Sequence, residues 1–392
     1  MTDTSSNTAL SPVLLSAFTT HRREATRPIA YRTDGFDEKF DDDVLFYDIF
    51  RRADGMVTLL GPPLFNLAQF IRPDSIRAMP SRQPCPFRVR RLDRQVQLIV
   101  NVPETCKALE ISLDGASVEV EIRPGKAALF AGRRVLLTQS KNNELTWIRD
   151  WATFAQRFHG ADAVLLYDNA SDRYGTEEVE DELRRIDGIK AIQVLSWPFK
   201  FGPQGLDATR FWDSDFCQMG AWEHARWRFL ADARSVQAGD VDELVLSQRG
   251  QSVFAAAEND RFGVVRYRGR WVVATDRTPP VNAGTLLRHR DYDTVMRERI
   301  ARRFGLFPYD TMASAPKWTV VPKRCPPWAQ WAVHRITGWL AAHRITREFS
   351  HRHFREIGSN WKYARLTRDS YDPELHEIDP VLVAHLRGEA GT

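Results

Sequence analysis

The chain has 392 residues, a length that calls for two folded units rather than one. Apolar residues make up 43% and charged residues 27%, which excludes a disordered or fibrous chain. No apolar run approaches the roughly 20 residues that a bilayer-spanning helix needs, and the net charge of +4 selects no partner by itself.

Residues 1–30 are Ser/Thr-rich and weakly patterned, and the expectation for them is a mobile N-terminus. Met1 to Leu10 lacks the basic-then-apolar order of a signal peptide. The cysteines Cys85, Cys106, Cys217 and Cys325 are widely separated and form no C-x-x-C pair. Neither a disulfide framework nor a zinc ribbon is indicated, and a cytoplasmic protein with reduced thiols is expected.

Residues 31–130 read as a β-rich module. Val96 to Val102 and Leu109 to Ile122 alternate apolar and polar residues, and Asp114-Gly115 is a hairpin-turn signal. The rhythm then changes. Arg134 to Thr138 is a short buried strand. Leu145, Ile148, Ala152, Ala155 and Phe158 follow at helical spacing, with a second stripe of Trp147, Trp151 and Phe154, and Gly160 caps the helix. A strand from Ala163 to Tyr167, a helix opening at Thr176 and ending at Gly188, and a strand from Ile189 to Trp197 complete β-α-β-α-β. A helix from Asp215 to Ala231 precedes the next strand, Ser235 to Gly239, which leads into Asp240-Val241-Asp242-Glu243. The fold class is α/β: a parallel sheet with right-handed crossovers, binding ligands beyond the carboxyl ends of its strands. The expected domains are the β module and a nucleotide-binding domain over 131–370, followed by a tail at 371–392.

Asp240-Val241-Asp242 is the most informative tripeptide. On an extended segment its two carboxylates project to one side, where a hard divalent cation could take oxygen ligands from them. D-x-D alone is weak, and a surface turn is the alternative. Asp168-Asn169-Ala170-Ser171 after the second strand can accept hydrogen bonds from a nucleoside or form an Asx-turn, and the two roles are compatible. From Leu286 to Asp369 there are 17 Lys/Arg against 7 Asp/Glu, a surplus of 10, suited to a diphosphate, an anionic lipid surface or a nucleic acid. It includes Lys317, Lys323, His334, His351, His353, Arg355 and Lys362. Within it Trp328 to Phe349 is aromatic and basic. That stretch could pack on the domain or rest peripherally on the inner face of a membrane.

Taken in order, Asn143-Glu144, Trp151, Tyr167-Asp168-Asn169-Ala170-Ser171, Asp240-Val241-Asp242-Glu243, Lys317 to Pro322, His334 and His353-Phe354-Arg355 resemble glycosyltransferase family 92 and related bacterial polysaccharide glycosyltransferases. The pattern runs from about Val135 to Lys362. The resemblance implies a GT-A fold, a Rossmann-like mixed sheet flanked by helices. It implies a UDP- or GDP-linked sugar donor, a carbohydrate or glycolipid acceptor, inversion at the transferred sugar, and Mn²⁺ or Mg²⁺ as cofactor. Carried over, the metal ligands are Asp240, Asp242 and His353, with His334 as the alternative. Asn143, Glu144, Asp168 and Asp240 face the nucleotide sugar, and Lys317 and Arg355 hold the diphosphate. Glu243, Glu258 and Asp276 are the conceivable general bases, none distinguished. The chain departs from the family at Gln237 and Gly239 in the fourth strand and at Leu244 after Glu243. It also lacks the anchors and cysteines of animal members, which favours a bacterial enzyme of capsule or exopolysaccharide synthesis.

Three other readings remain. A nucleic-acid-binding protein would use the basic C-terminal third, but no RRM, KH or zinc-finger signature is present. A non-catalytic GT-A-like scaffold would keep the fold alone. A nucleotidyltransferase would show a Gly-rich loop where Lys141-Asn142-Asn143 stands.

Overall fold

The computed structural model describes residues 8–203, 213–279, 286–303, 306–359 and 369–387. Lys362, named among the basic residues, lies outside them. The chain divides into two compact units: residues 1–131 with 195–232, and residues 132–194 with 233–392.

The first unit holds two four-stranded antiparallel sheets. One contains Val57–Gly61 and Gln95–Val100, and the other the hairpin Ala108–Leu113 and Ala116–Glu121. That hairpin turns at Asp114 (φ 49°) and Gly115 (φ 84°), the positive pair that a two-residue turn requires. The expected mobile start is corrected from residue 13 onward. Val13–Leu14 pairs with the strand Val44–Phe46, and Leu15 is fully buried. The Arg23 guanidinium donates to the carbonyls of Pro63, Asp41 and Val44 at 2.6–2.7 Å. Side-chain-to-backbone bonds of this kind leave no hydrophobic periodicity for a sequence reading to detect. The helix expected at Asp215–Ala231 forms over Phe216–His224 and a π-helical turn, Ala225–Phe229. It clusters with the first unit, the β module, rather than with the second unit. Buried polar pairs tie it there: Asp48 accepts from Arg228 at 2.7 Å and meets His224 at 2.9 Å, and Gln97 donates to Glu223 at 2.8 Å.

The second unit is built on a mixed sheet. Its strands are β1 (Arg134–Ser140), β2 (Ala163–Asp168), β3 (Ala191–Ser196), β4 (Ser235–Ala238), β5 (Glu243–Ser247), β6 (Val264–Val272), β7 (Thr294–Met296), β8 (Ala313–Val320), β9 (Ile345–Phe354) and β10 (His376–Ile378). The order is β3-β2-β1-β4-β8-β6-β7-β10, with β9 also pairing β6 and β5. β1 is parallel to β2 and β4, as expected, whereas β8 runs antiparallel to both β4 and β6. The helix α1 (Leu145–His159) buries Trp147, Ile148, Trp151, Ala152, Phe154 and Ala155, so both apolar stripes are covered. Each fully buried side chain such as Ile148 contributes roughly 1.5–3 kcal/mol. Gly160, at φ 70°, ends the helix with its N–H on the Gln156 carbonyl.

The segment expected as a tail at 371–392 joins the sheet through β10, and Pro380–Arg387 forms a helix whose Leu382 is fully buried. Among the described residues, no helix is long and apolar enough to cross a membrane.

Candidate functional site

The carboxyl rim of the parallel strands gathers most of the expected site residues. The linker between β4 and β5 is a tight turn rather than the extended segment expected, because the Glu243 N–H donates to the Asp240 carbonyl at 3.0 Å. The Glu243 carboxylate closes the turn from the other side by accepting the Asp240 N–H at 3.0 Å. Two further bonds hold the turn: Phe354 N–H to the Asp242 carbonyl at 2.8 Å, and the buried His289 ring to the Val241 carbonyl at 3.0 Å. The two aspartates therefore diverge. Asp240 turns to Lys317, whose ammonium lies 2.7 Å away. Asp242 turns to His353, with Oδ2 and Nε2 separated by 3.2 Å.

His353 reaches that place because β9 pairs with β5 so that Glu243 and His353 are directly opposite. On its other side β9 pairs with β6, setting Trp271 opposite His353. The two rings stack at 4.1 Å with 29° between their planes. Asp242 and His353 keep side-chain exposures of 13% and 12%, so the pair is only partly shielded from solvent.

Beneath this edge lies a buried charge cluster. Lys317 is 1% exposed and lies 3.0 Å from Glu243 as well as 2.7 Å from Asp240. Burial works against its charge, but Asp240 and Glu243 outweigh that and hold the amine above its ordinary value. Burial pushes the Glu243 carboxyl up to about 7, with Lys317 opposing the rise. His351 Nε2 and His353 Nδ1 each lie 3.5 Å from Glu243 Oε1, and Ser314 Oγ is 3.1 Å from His351.

Glu243, His351 and His353 thus form a second cluster with metal-ligand chemistry, their donor atoms within 4.8 Å of one another. The Lys317 ammonium already neutralises Glu243, so a cation is better accommodated on the Asp242 edge. With Glu243 beside Nδ1, the imidazole of His353 is oriented so that Nε2 faces Asp242 at 3.2 Å.

The remaining expected residues fall in three places. Asp168, 5% exposed, accepts the Ser171 N–H at 3.0 Å and its hydroxyl at 2.5 Å, closing an Asx-type turn. Burial raises its carboxyl, opposed by Ser171. Asn143 donates to Ser140 at 2.9 Å, and Glu144 pairs with Arg173 at 2.6 Å, so both brace the rim loops. Arg355 follows β9 with 39% side-chain exposure, its guanidinium 3.8 Å from Asp369.

Several expectations are corrected. Lys317 is enclosed by two carboxylates, which removes it from direct diphosphate contact. Glu243, 3% exposed and engaged by Lys317, supports the turn and does not face an acceptor as a base would. Glu258 sits at the opposite end of the sheet, bonded to Arg134 at 2.8 Å and to Ser235, the first residues of β1 and β4. Burial opposes its charge, but those partners hold its carboxyl below the usual range. Asp276 is exposed beyond β6 and accepts the Tyr371 N–H at 3.2 Å. His334 is exposed on a hairpin, and the rim position beside Asp242 belongs to His353.

Sequence reading missed Trp271, His289, Ser314 and Gly269. Gly269 carried a usable signal, an isolated glycine inside a strand pattern. A Cβ there would stand 1.9 Å from Ser314 Oγ and 2.1 Å from His351 Nε2. The ladder also shifts register beside it. A separate groove of about 630 Å³ lies between the helix Val253–Asn259 and the start of β9, away from this rim.

No protein-family model matches the chain, and no curated protein matches it.

Proposed function

We propose that the chain is a metal-dependent glycosyltransferase, its second unit a GT-A domain, that transfers a sugar from a nucleoside-diphosphate donor to a carbohydrate or glycolipid acceptor. One observation carries the reading. Asp242 of the D-x-D turn and His353 of the late His-aromatic-Arg block, 111 positions apart, stand 3.2 Å from each other at the carboxyl rim of an α/β sheet. Two ligands of one octahedral ion with bonds of about 2.1 Å are about 3 Å apart, so the pair fits a divalent cation. A carboxylate with an imidazole favours Mn²⁺ over Mg²⁺. The ion would neutralise the charge that builds on the departing nucleoside diphosphate.

The chain's own groups have separable tasks. Asp242 and His353 would hold the cation, and Arg355 at the same rim would add positive charge for the diphosphate. Asp240 and Glu243, fixed by Lys317, keep the turn in shape. The loops after β1 and β2, knitted together by the Asn142 N–H on Ser171 Oγ at 2.8 Å, would border the nucleoside.

Calorimetry with UDP and with GDP, with and without Mn²⁺, tests the reading. Binding that needs the metal and falls at least tenfold in Asp242→Ala and His353→Ala is expected. Nucleotide binding indifferent to both substitutions rejects it, and absence of any nucleotide binding points to a scaffold.

A further inference from the structure

The chain from Pro322 to Arg347 contains Lys323, Arg324, Arg335, Arg344 and Arg347 and not one Asp or Glu. Its aromatic and aliphatic residues divide sharply by burial. Trp331 and Ile336 face inward, with Trp331 packed on Trp318 at 5.2 Å. Trp328 is 68% exposed and Leu340 is 88% exposed, the latter the highest exposure of any large apolar side chain described.

These two belong to one corner. The strands Gln330–Ala332 and Arg335–Thr337 pair as a hairpin, and Leu340–His343 forms a single 3-10 turn after it. A Cβ placed on Gly338 would lie 3.9 Å from Trp328 Cδ1, so the link before Leu340 runs beside Trp328. The basic residues lie in the same stretch of chain. Arg335, Arg344 and Arg347 are exposed. Arg344 lies only loosely, at 3.8 Å, against Asp260. Arg324 spends its guanidinium on the carbonyls of Glu258 and Asp260 at 2.9 Å.

We propose that this corner docks the protein on an anionic lipid bilayer, with Trp328 and Leu340 entering the interface and the arginines meeting the headgroups. Charge complementarity selects an anionic partner. The aliphatic Leu340 selects a bilayer over a nucleic acid, because a leucine gains by entering acyl chains and offers a base no stacking face. Tryptophan is the side chain most at home where one end is apolar and the other wet. The inference stands apart from the glycosyl-transfer reading, since none of these residues contributes to the rim.

Co-sedimentation of the full chain with phosphatidylcholine vesicles, with and without phosphatidylglycerol, tests it. Binding to the anionic vesicles alone, weakening as salt rises, is expected. Arg335→Gln with Arg344→Gln should lower it by more than tenfold, at about fivefold per basic group. Trp328→Ser with Leu340→Ser should lower it on the order of tenfold or more, with unchanged circular dichroism and melting. No binding to anionic vesicles, or equal binding to neutral ones, overturns the proposal. So does salt-sensitive binding of an RNA oligonucleotide that the arginine variant loses while the Trp328/Leu340 variant keeps it.

Discussion

Replacing Lys317 by Met separates a structural role for the buried ammonium from a direct role in nucleotide binding. Lys317 is 1% exposed, with carboxylate oxygens at 2.7 and 3.0 Å. At an effective dielectric of about 20, each such contact is worth roughly 5–6 kcal/mol before desolvation. Taking the ammonium out of water returns several kcal/mol of that. Removing it leaves Glu243, 3% exposed, without its cation, and breaking a buried pair in this way costs about 3–5 kcal/mol. Urea unfolding of Lys317→Met should therefore show a loss of that size. Adding Glu243→Gln should recover part of it, since the Glu243 carboxyl, already raised to about 7 beside Lys317, then no longer has to take up a proton in the buried centre. The coupling between the two changes, read from the double-mutant cycle, is expected at about 1–3 kcal/mol. A Lys317→Met protein that unfolds with the parent but has lost nucleotide affinity would refute this reasoning and restore the lysine to the diphosphate.

Gly269→Ala should destabilise the protein by about 1–3 kcal/mol in the same assay, because the new methyl meets Ser314 and His351 at about 2 Å; an unchanged midpoint would show that the bulge yields freely. His159 predicts an acid transition. Its Nε2 lies 2.7 Å from the Val245 carbonyl and its Nδ1 accepts the Val253 N–H at 3.2 Å, so the neutral ring is satisfied and a second proton has no place. Burial accordingly lowers its value from 6.5 to about 4. The folded state therefore binds fewer protons than the unfolded chain between these values. The stability is complete above pH 6.5 and lost as pH falls toward 4, by roughly 3 kcal/mol in full. Unfolding free energies from urea melts across that window should fall with a slope that is shallower, by up to about 1.4 kcal/mol per pH unit, in His159→Gln; identical slopes would show that other groups drive the transition.

Local and periodic signals in the sequence reached far into the fold. The apolar stripes of α1 with its Gly160 cap, the strand runs of β1, β2 and β4, and the Asp114-Gly115 hairpin depend on neighbours within a few residues, and each lies where its pattern put it. The sequence also singled out Asp240-Val241-Asp242, on a segment expected to be extended, and, through the resemblance, His353, which the fold sets 3.2 Å from Asp242. What it did not determine was which way each side chain faces. Asp240 and Asp242 look equivalent in the chain, but a tight turn sends one to a buried lysine and the other to a histidine, because Lys317 and His353 arrive on strands from more than 70 positions away. Glu243, Glu258 and Asp276 were indistinguishable as carboxylates, and only tertiary contacts assign one to the turn, one to the far end of the sheet and one to solvent. The same limit applied to Trp328 and Trp331: two tryptophans three positions apart, in one aromatic run, are separated into surface and core by a hairpin whose packing on Trp318 no local pattern encodes.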